Sequence, residues 1–273
     1  MSESPYRSIA VAAAFSPRFL RVLTEARRVR DRFGSTLSFI YVGTKDAATA
    51  CKYSDALKEL QFPVDSAIHY EEGDPASAII AAARRNHVEL LIAGALEKEA
   101  VHRQFLGNVA RRLVREAGCS VMLFTKPALK PKPFRHIVFM AEYSDHAQRA
   151  LRRTLHLAER ENCERLYVIR NYTTFDKARA RRRGKTPRTV ARTLDEEELA
   201  LQEFVLAAGA TPVPIETRCI RGNTGFAASD FIQAVEADLL AVPLETKAGA
   251  DATLPYQSAW IIDAIPCNLW IIR

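Results

Sequence analysis

The chain reads as an α/β protein built twice, each copy a parallel sheet with helices on both faces. Two observations carry this. Short apolar runs of strand length alternate with stretches of helical period, in the order β-α-β-α-β-α-β-α-β over the first half. The same order then begins again at a nearly fixed offset, which marks a duplicated domain rather than a solenoid.

The elements follow in order. Residues 8–14 form an apolar strand. Ser16-Pro17 then opens a helix, Ser as a favoured N-cap and Pro at the first helical position. Phe19, Leu20, Leu23, Ala26 and Phe33 recur at helical spacing until Gly34 stops them. Residues 36–42 are a second strand, 46–61 a weaker helix, and 64–70 alternate as a third strand. Gly73-Asp74-Pro75 is a turn and cap before an Ala-rich helix over 76–87. The central stretch is 89–124. Leu90 to Ala93 is a buried-strand run ended by Gly94, and a polar loop leads to Gly107-Asn108. There a helix begins with Val109, Leu113 and Val114 on one face, and Gly118 is its expected C-cap. Residues 121–124 close the copy as a last strand. A loop that leaves the carboxyl end of a parallel strand and enters a helix N-terminus is where α/β sheets bind phosphates, because free N–H groups and the helix dipole converge there.

The second copy repeats these marks. Ile9 to Ser16 matches Ile137 to Ser144 at an offset of 128, while Leu90-Leu91 matches Leu239-Leu240 at 149 and Cys119 matches Cys267 at 148. The jump of about twenty falls where residues 177–192 carry eight basic groups and no acid. That segment is therefore an insertion. Since the whole chain has a formal charge of +7, the rest of it is close to neutral. Gly184 and Pro187 break any helix across the insertion, and like charges at that density favour a solvated loop over a nucleic-acid contact. No aromatic residue interleaves its basic groups, so single-strand stacking is not expected. The acidic run Asp195 to Glu198 follows at once and is expected to neutralise it. The boundaries are 1–127 for the first domain, 128–134 for the linker and 135–273 for the second domain, the prolines around the linker favouring an extended spacer.

Composition sets the broad class. With 48% apolar and 26% charged residues the chain is an ordinary globular sequence. No apolar run approaches the ~20 residues needed to span a bilayer, and the first residues do not read as a signal peptide. The five cysteines are widely spaced, without a C-x-x-C pair. They are expected to be reduced, buried thiols of a cytoplasmic protein rather than a disulfide frame or zinc site. The six histidines form no i, i+4 pair with an acid, so no metal site is expected.

The first strand ending in Phe15-Ser16 or Tyr143-Ser144, the turn Gly73-Asp74-Pro75-Ala76, the strand 89–94 and the Cys119-x-Val121 ending, in this order and in two copies, resemble the universal stress protein family in its tandem form. The resemblance covers nearly all of both halves. It implies the adenine nucleotide alpha hydrolase-like fold, two five-stranded sheets of order 3-2-1-4-5, and pairing of the halves through their last strands, residues 120–124 with 268–272. It further implies a binding or regulatory role in stress rather than turnover; many members bind ATP and others do not.

The family's nucleotide pattern is Gly, two residues, Gly, nine residues, Gly, then Ser or Thr. Here the spacing gives Gly94, Glu97, Gly107 and Asn108, so the second glycine and the hydroxyl are replaced. The acid that holds ribose falls at Ala14. In the second half the acid position is Glu142, but Pro243 stands where Gly94 would and no glycine pattern follows. A Glu97 carboxylate ~4 Å from a phosphate charge, at an effective dielectric of ~20, would cost about 4 kcal/mol, roughly a thousandfold in affinity.

The expected function is a non-catalytic stress-response module with a degenerate ATP site in the first half. Gly94, Gly107, Asn108 and Val109 would offer N–H groups to phosphates, and Val42 would line the adenine side. Slow ATP hydrolysis is a third, weaker reading, with no convergent base, nucleophile and metal ligand in the sequence to support it. The rival is a nucleotide-free scaffold that binds another protein, or a small apolar ligand between the halves; association of two such chains is a further expectation. Ser144-Asp145-His146 holds the letters of a hydrolase triad, but three successive residues cannot align as one, and Ser144 is read as a helix cap. Gly222 to Gly225 is read as a strand-to-helix turn, and Trp260 and Trp270 as core or interface residues.

Overall fold

Apolar runs in which nearly every residue is hydrophobic make strands only where both faces are covered, which is the setting of a parallel sheet. The computed structural model describes residues 4–63, 66–95, 98–100, 103–172, 193–222, 225–245, 260 and 267–273. The first half contains β1 (Ser8–Ala12), α1 (Phe19–Phe33), β2 (Thr36–Val42), α2 (Ala47–Glu59), β3 (Ile68–Glu71) and α3 (Pro75–Arg85). It continues with β4 (Leu90–Gly94), β5 (Lys98–Ala100), β6 (Arg103–Phe105), α4 (Asn108–Glu116) and β7 (Ser120–Phe124). The second half contains β8 (His136–Met140), α5 (Asp145–Glu161), β9 (Arg165–Tyr172) and α6 (Leu194–Leu206). It ends with β10 (Ile215–Arg221), α7 (Phe226–Ala234), β11 (Leu239–Pro243) and β12 (Asn268–Ile272).

Ten of these strands form one sheet in the order β10-β9-β8-β11-β12-β7-β4-β1-β2-β3. Within each half the neighbours are parallel; at the centre β12 meets β7 antiparallel, with Leu269, Trp270 and Ile271 opposite Leu123, Met122 and Val121. The sheet is buried on both sides. On one face α1, α2, α5 and α6 cover Ile9, Val11, Ile92, Phe139 and Trp270. On the other α3, α4 and α7 cover Ala10, Leu91, Val121, Leu240 and Ile271.

The helix ends show where sequence signals held and where they did not. Gly34 takes the left-handed conformation, φ 66°, that ends α1. Asp74 accepts from the N–H of Ser77 and Pro75 begins α3. Ser16 does not cap α1; it opens a turn, with Phe19 N–H bonded to Ser16 O at 2.9 Å, and Arg18 holds the N-cap position. Gly118 does not cap α4 either, because Ala117 ends that helix in extended conformation. The polar loop after Gly94 contains an antiparallel hairpin, β5 with β6. The insertion at 177–192 and residue Glu97 lie outside the described residues.

Candidate functional site

The carboxyl ends of β1, β2 and β4 and the amino end of α4 share one edge of the first half. Val42 ends β2, Gly94 ends β4, Gly107 is the N-cap of α4, and Asn108 and Val109 are its first residues. Val42 and Val109 pack against the same apolar cluster, which includes Ala12, Ala93, Ala95 and Leu106. Gly107 has φ −64° and no side chain caps the helix, so the first-turn N–H groups of α4 have no capping side chain.

Gly94 does something else. A Cβ there would come within 3.0 Å of Val22 Cγ2, on the opposite face of the sheet from Val42 and Val109. Its missing side chain admits α1. The structure thus brings Val42, Asn108 and Val109 to one edge and gives Gly94 a packing role.

Sequence reasoning missed Arg18. Its Nη1 donates to Ala95 O at 3.2 Å and Thr125 O at 3.5 Å. Both partners are neutral carbonyls, so a half-buried positive charge sits above the ends of β4 and β7 without a carboxylate among the described residues. Nothing in the spacing could have flagged it, since an arginine after Ser-Pro reads as surface charge. Ala14, where the ribose acid was sought, is exposed beyond β1.

Below this edge the two halves solve one problem in different ways. In the first, Phe15, Phe19 and Tyr41 pack around Tyr53, whose hydroxyl donates to Ala13 O at 2.8 Å. Burial raises the Tyr53 pKa, so it stays a neutral donor. In the second, the matching carbonyl, Ala141 O, accepts from Arg170 Nη1 at 3.1 Å. The registers Ala12 to Ile40 and Met140 to Ile169 put Tyr41 and Arg170 at equivalent places. Arg170 also pairs with Glu197 at 3.1 Å, and Tyr143 donates to the same carboxylate at 2.9 Å. The acidic run is therefore no mere counterweight to the insertion: Glu197 belongs to this network and Glu196 closes a capping box with Thr193.

In the second half Pro243 lies beside Ile272 as Gly94 lies beside Phe124. The pocket bounded by Ala141, Glu142, Arg170, Asn171, Val242 and Pro243 has a volume of ≈ 10 Å³. That is room for about one water. Burial raises the pKa of Glu142 and Glu245 adds to it, while Arg170 and His146 oppose the shift.

The remaining candidates resolve simply. Ser144 Oγ accepts from Ala147 N at 3.1 Å and so caps α5, while His146 Nε2 lies 3.0 Å from Ile272 O; the three letters form no triad. Among the described residues no group of three or more His, Cys, Asp or Glu is placed to hold a metal. Trp270 is fully buried at the central strand pair, and Trp260 lies against Gly225. Cys163 and Cys267 are buried, but Cys51 is exposed, contrary to expectation. A wider groove of ≈ 630 Å³ opens at the amino edge of β2. There Ser35, Thr36 and Ser66 spend their hydroxyl protons on nearby carbonyls, which finishes the backbone rather than forming a site.

A model of the Universal stress protein family matches residues 5–125 and again 133–273. A universal stress protein of Methanocaldococcus jannaschii is 37% identical over 62 residues, a stretch covering 22% of this chain and 36% of that relative, or about a third of its length. Two solved structures share the fold. One, from Pseudomonas aeruginosa UCBPP-PA14 and described as a universal stress protein, has a TM-score of 0.70 at 15% identity, with 99% of this chain and 94% of that one covered. The other, a universal stress protein from Archaeoglobus fulgidus DSM 4304, has a TM-score of 0.67 at 13% identity, covering 98% and 99%.

Proposed function

The chain belongs to the universal stress protein family, and from that membership we propose that it is a non-catalytic stress-response binding module with a degenerate adenine-nucleotide site in its first half. The observation that carries this reading is the sheet edge where α4 begins at Gly107, a residue without a capping side chain, near the apolar Val42 and Val109, while Arg18 reaches the ends of β4 and β7 from the α1 face. Free N–H groups and a cation suit phosphate oxygens; a dry apolar wall suits a base. The residues fit ATP in part. Gly107, Asn108 and Val109 would face its phosphates and Val42 its adenine, while Ala14 leaves the ribose without an acid. In the second half Pro243 stands where Gly94 would, and the described pocket beside it is of water size. We assign no reaction; among the described residues no nucleophile, base and metal ligands converge.

No helix among the described residues is long and apolar enough to cross a membrane. The five free cysteines support assignment to the reducing cytoplasm.

Heating the protein with ATP and magnesium tests the reading. Nucleotide at a hundredfold over its dissociation constant adds about 2.7 kcal/mol, a readable rise in the unfolding midpoint. Glu97→Gly should increase the rise and Arg18→Ala reduce it. No rise in any of the three proteins would favour the scaffold reading. That alternative draws on α6, where Leu199 and Leu206, 58% and 77% exposed, lie seven residues apart on one helical face.

A further inference from the structure

Helix α4 ends without a closure of its own. The Ala117 N–H bonds to Leu113 O and the chain then leaves in extended conformation, so no left-handed cap turns back on the remaining carbonyls of the last turn. Arg273, across the central strand pair, supplies donors instead. Its Nη2 donates to Val114 O at 2.6 Å and its Nη1 to Cys119 O at 3.4 Å. Burial lowers the pKa of this guanidinium to about 10, still well above neutrality. It therefore meets the helix end as a cation, the charge that the dipole favours there. The backbone of Arg273 is fixed as well. Its N–H donates to Ser120 Oγ at 3.0 Å, and Arg153 Nη1 donates to its carbonyl at 2.6 Å. The buried Tyr6 hydroxyl in turn donates to Ser120 Oγ at 2.9 Å.

The duplication shows that this reach is an addition. At the offset of 148, Thr125 is the counterpart of Arg273 and Asn268 that of Ser120. Thr125 N–H donates to Asn268 Oδ1 at 3.0 Å, which repeats the backbone bond. Its short side chain turns to the same oxygen, at 3.4 Å, and spans no further. The guanidinium thus runs one way, from the second half to a helix end of the first. That helix has nine residues, too few to hold itself by its own hydrogen bonds, and Gly107 to Val109 at its amino end form the candidate edge. We propose that Arg273 is a positioning residue for that edge: a latch by which the second half holds α4, so that docking of the halves and binding at the α4 amino terminus favour one another. The consequence for binding rests on the nucleotide reading above; the latch does not.

The test is amide hydrogen exchange of the full chain, read at α4 with α1 and α3 as internal references, in wild type, Arg273→Met and Arg273→Lys. Met keeps the apolar stem and removes the donors and the charge. Arg273→Met speeds exchange at α4 at least tenfold while α1 and α3 keep their wild-type rates. Arg273→Lys, which retains the charge and a donor, recovers part of the protection. The rise in unfolding midpoint with ATP and magnesium falls in Arg273→Met. Unchanged exchange at α4 in Arg273→Met would overturn the latch. So would an equal acceleration in α1, α3 and α4, the mark of a residue that supports only global stability. Faster exchange at α4 with an undiminished ATP response would overturn the coupling to the edge. A wild type that gives no ATP response overturns the nucleotide reading instead, and the exchange rates still decide the latch.

Discussion

Gly94 has no side chain because Val22 of α1 stands where one would go, 3.0 Å from the missing Cβ. Overpacking of this kind costs roughly 1–3 kcal/mol. Gly94→Ala should therefore destabilise by about 1 kcal/mol or more in urea unfolding, and should cost nearly nothing in a Val22→Ala background; an equal cost in both would sink the packing account. Asp74 gives a prediction in pH. The Ser77 N–H and hydroxyl and the Arg112 guanidinium hold its carboxyl down at about 2. Its folded pKa lies below the unfolded value of about 3.9, so its contribution is present above that value and lost as pH falls towards about 2. The stability gap between wild type and Asp74→Ala should narrow across that window and stay constant from pH 5 to 7. At this scale the sequence was legible in part. The spacing of Gly94, Gly107 and Asn108 could be seen, and Asp74-Pro75 announced its cap. Which face Gly94 serves could not, because spacing does not reveal the neighbouring helix. Arg18 gave no sign, since its role depends on carbonyls far away in sequence.

Helices α1 and α5 cross between the halves, and a buried carboxylate ties them. Glu161 of α5 is fully enclosed; Arg32 Nε donates to it at 3.1 Å, and Arg28 Nη1 lies 2.8 Å away in an ion contact short of hydrogen-bond geometry. The N–H of Phe134 also bonds to it at 3.1 Å. Removing one partner of such a group strands the others, which costs roughly 3–5 kcal/mol. Glu161→Ala should lose about that much in chemical denaturation, and a loss under 1 kcal/mol would show the cluster to be incidental. Periodicity revealed the helices themselves, because burial on one face writes a 3.6-residue pattern. It could not reveal β5 and β6, three residues each, which are too short to show a period of two. Ser16 and Ser144 show the same limit. Both precede a helix in matching sequence, yet only Ser144 caps its helix with its side chain; after Ser16 the chain makes one more turn before α1 begins.

The repeat was the most legible feature, because a doubled order of apolar runs survives the divergence of individual residues. What joins the copies was visible only through family resemblance: the strands are apolar either way, and pairing partners are not written in a strand's own pattern. In the structure Trp270 lies at the join, its ring 6.1 Å from Tyr6 and 5.9 Å from Phe33 of the other half. Trp270→Ala should cost roughly 3–5 kcal/mol. With one sheet running through both halves, the wild type should unfold in a single step, far-UV circular dichroism and tryptophan fluorescence giving the same midpoint; two separated midpoints would contradict this. The antiparallel meeting of β7 and β12 has a further consequence. Strands in the two halves point in opposite directions, so the first half's candidate edge and the second half's small pocket open towards opposite poles of the molecule. A macromolecule seated at one pole leaves the other uncovered, so each half can be engaged without steric competition from whatever occupies its twin.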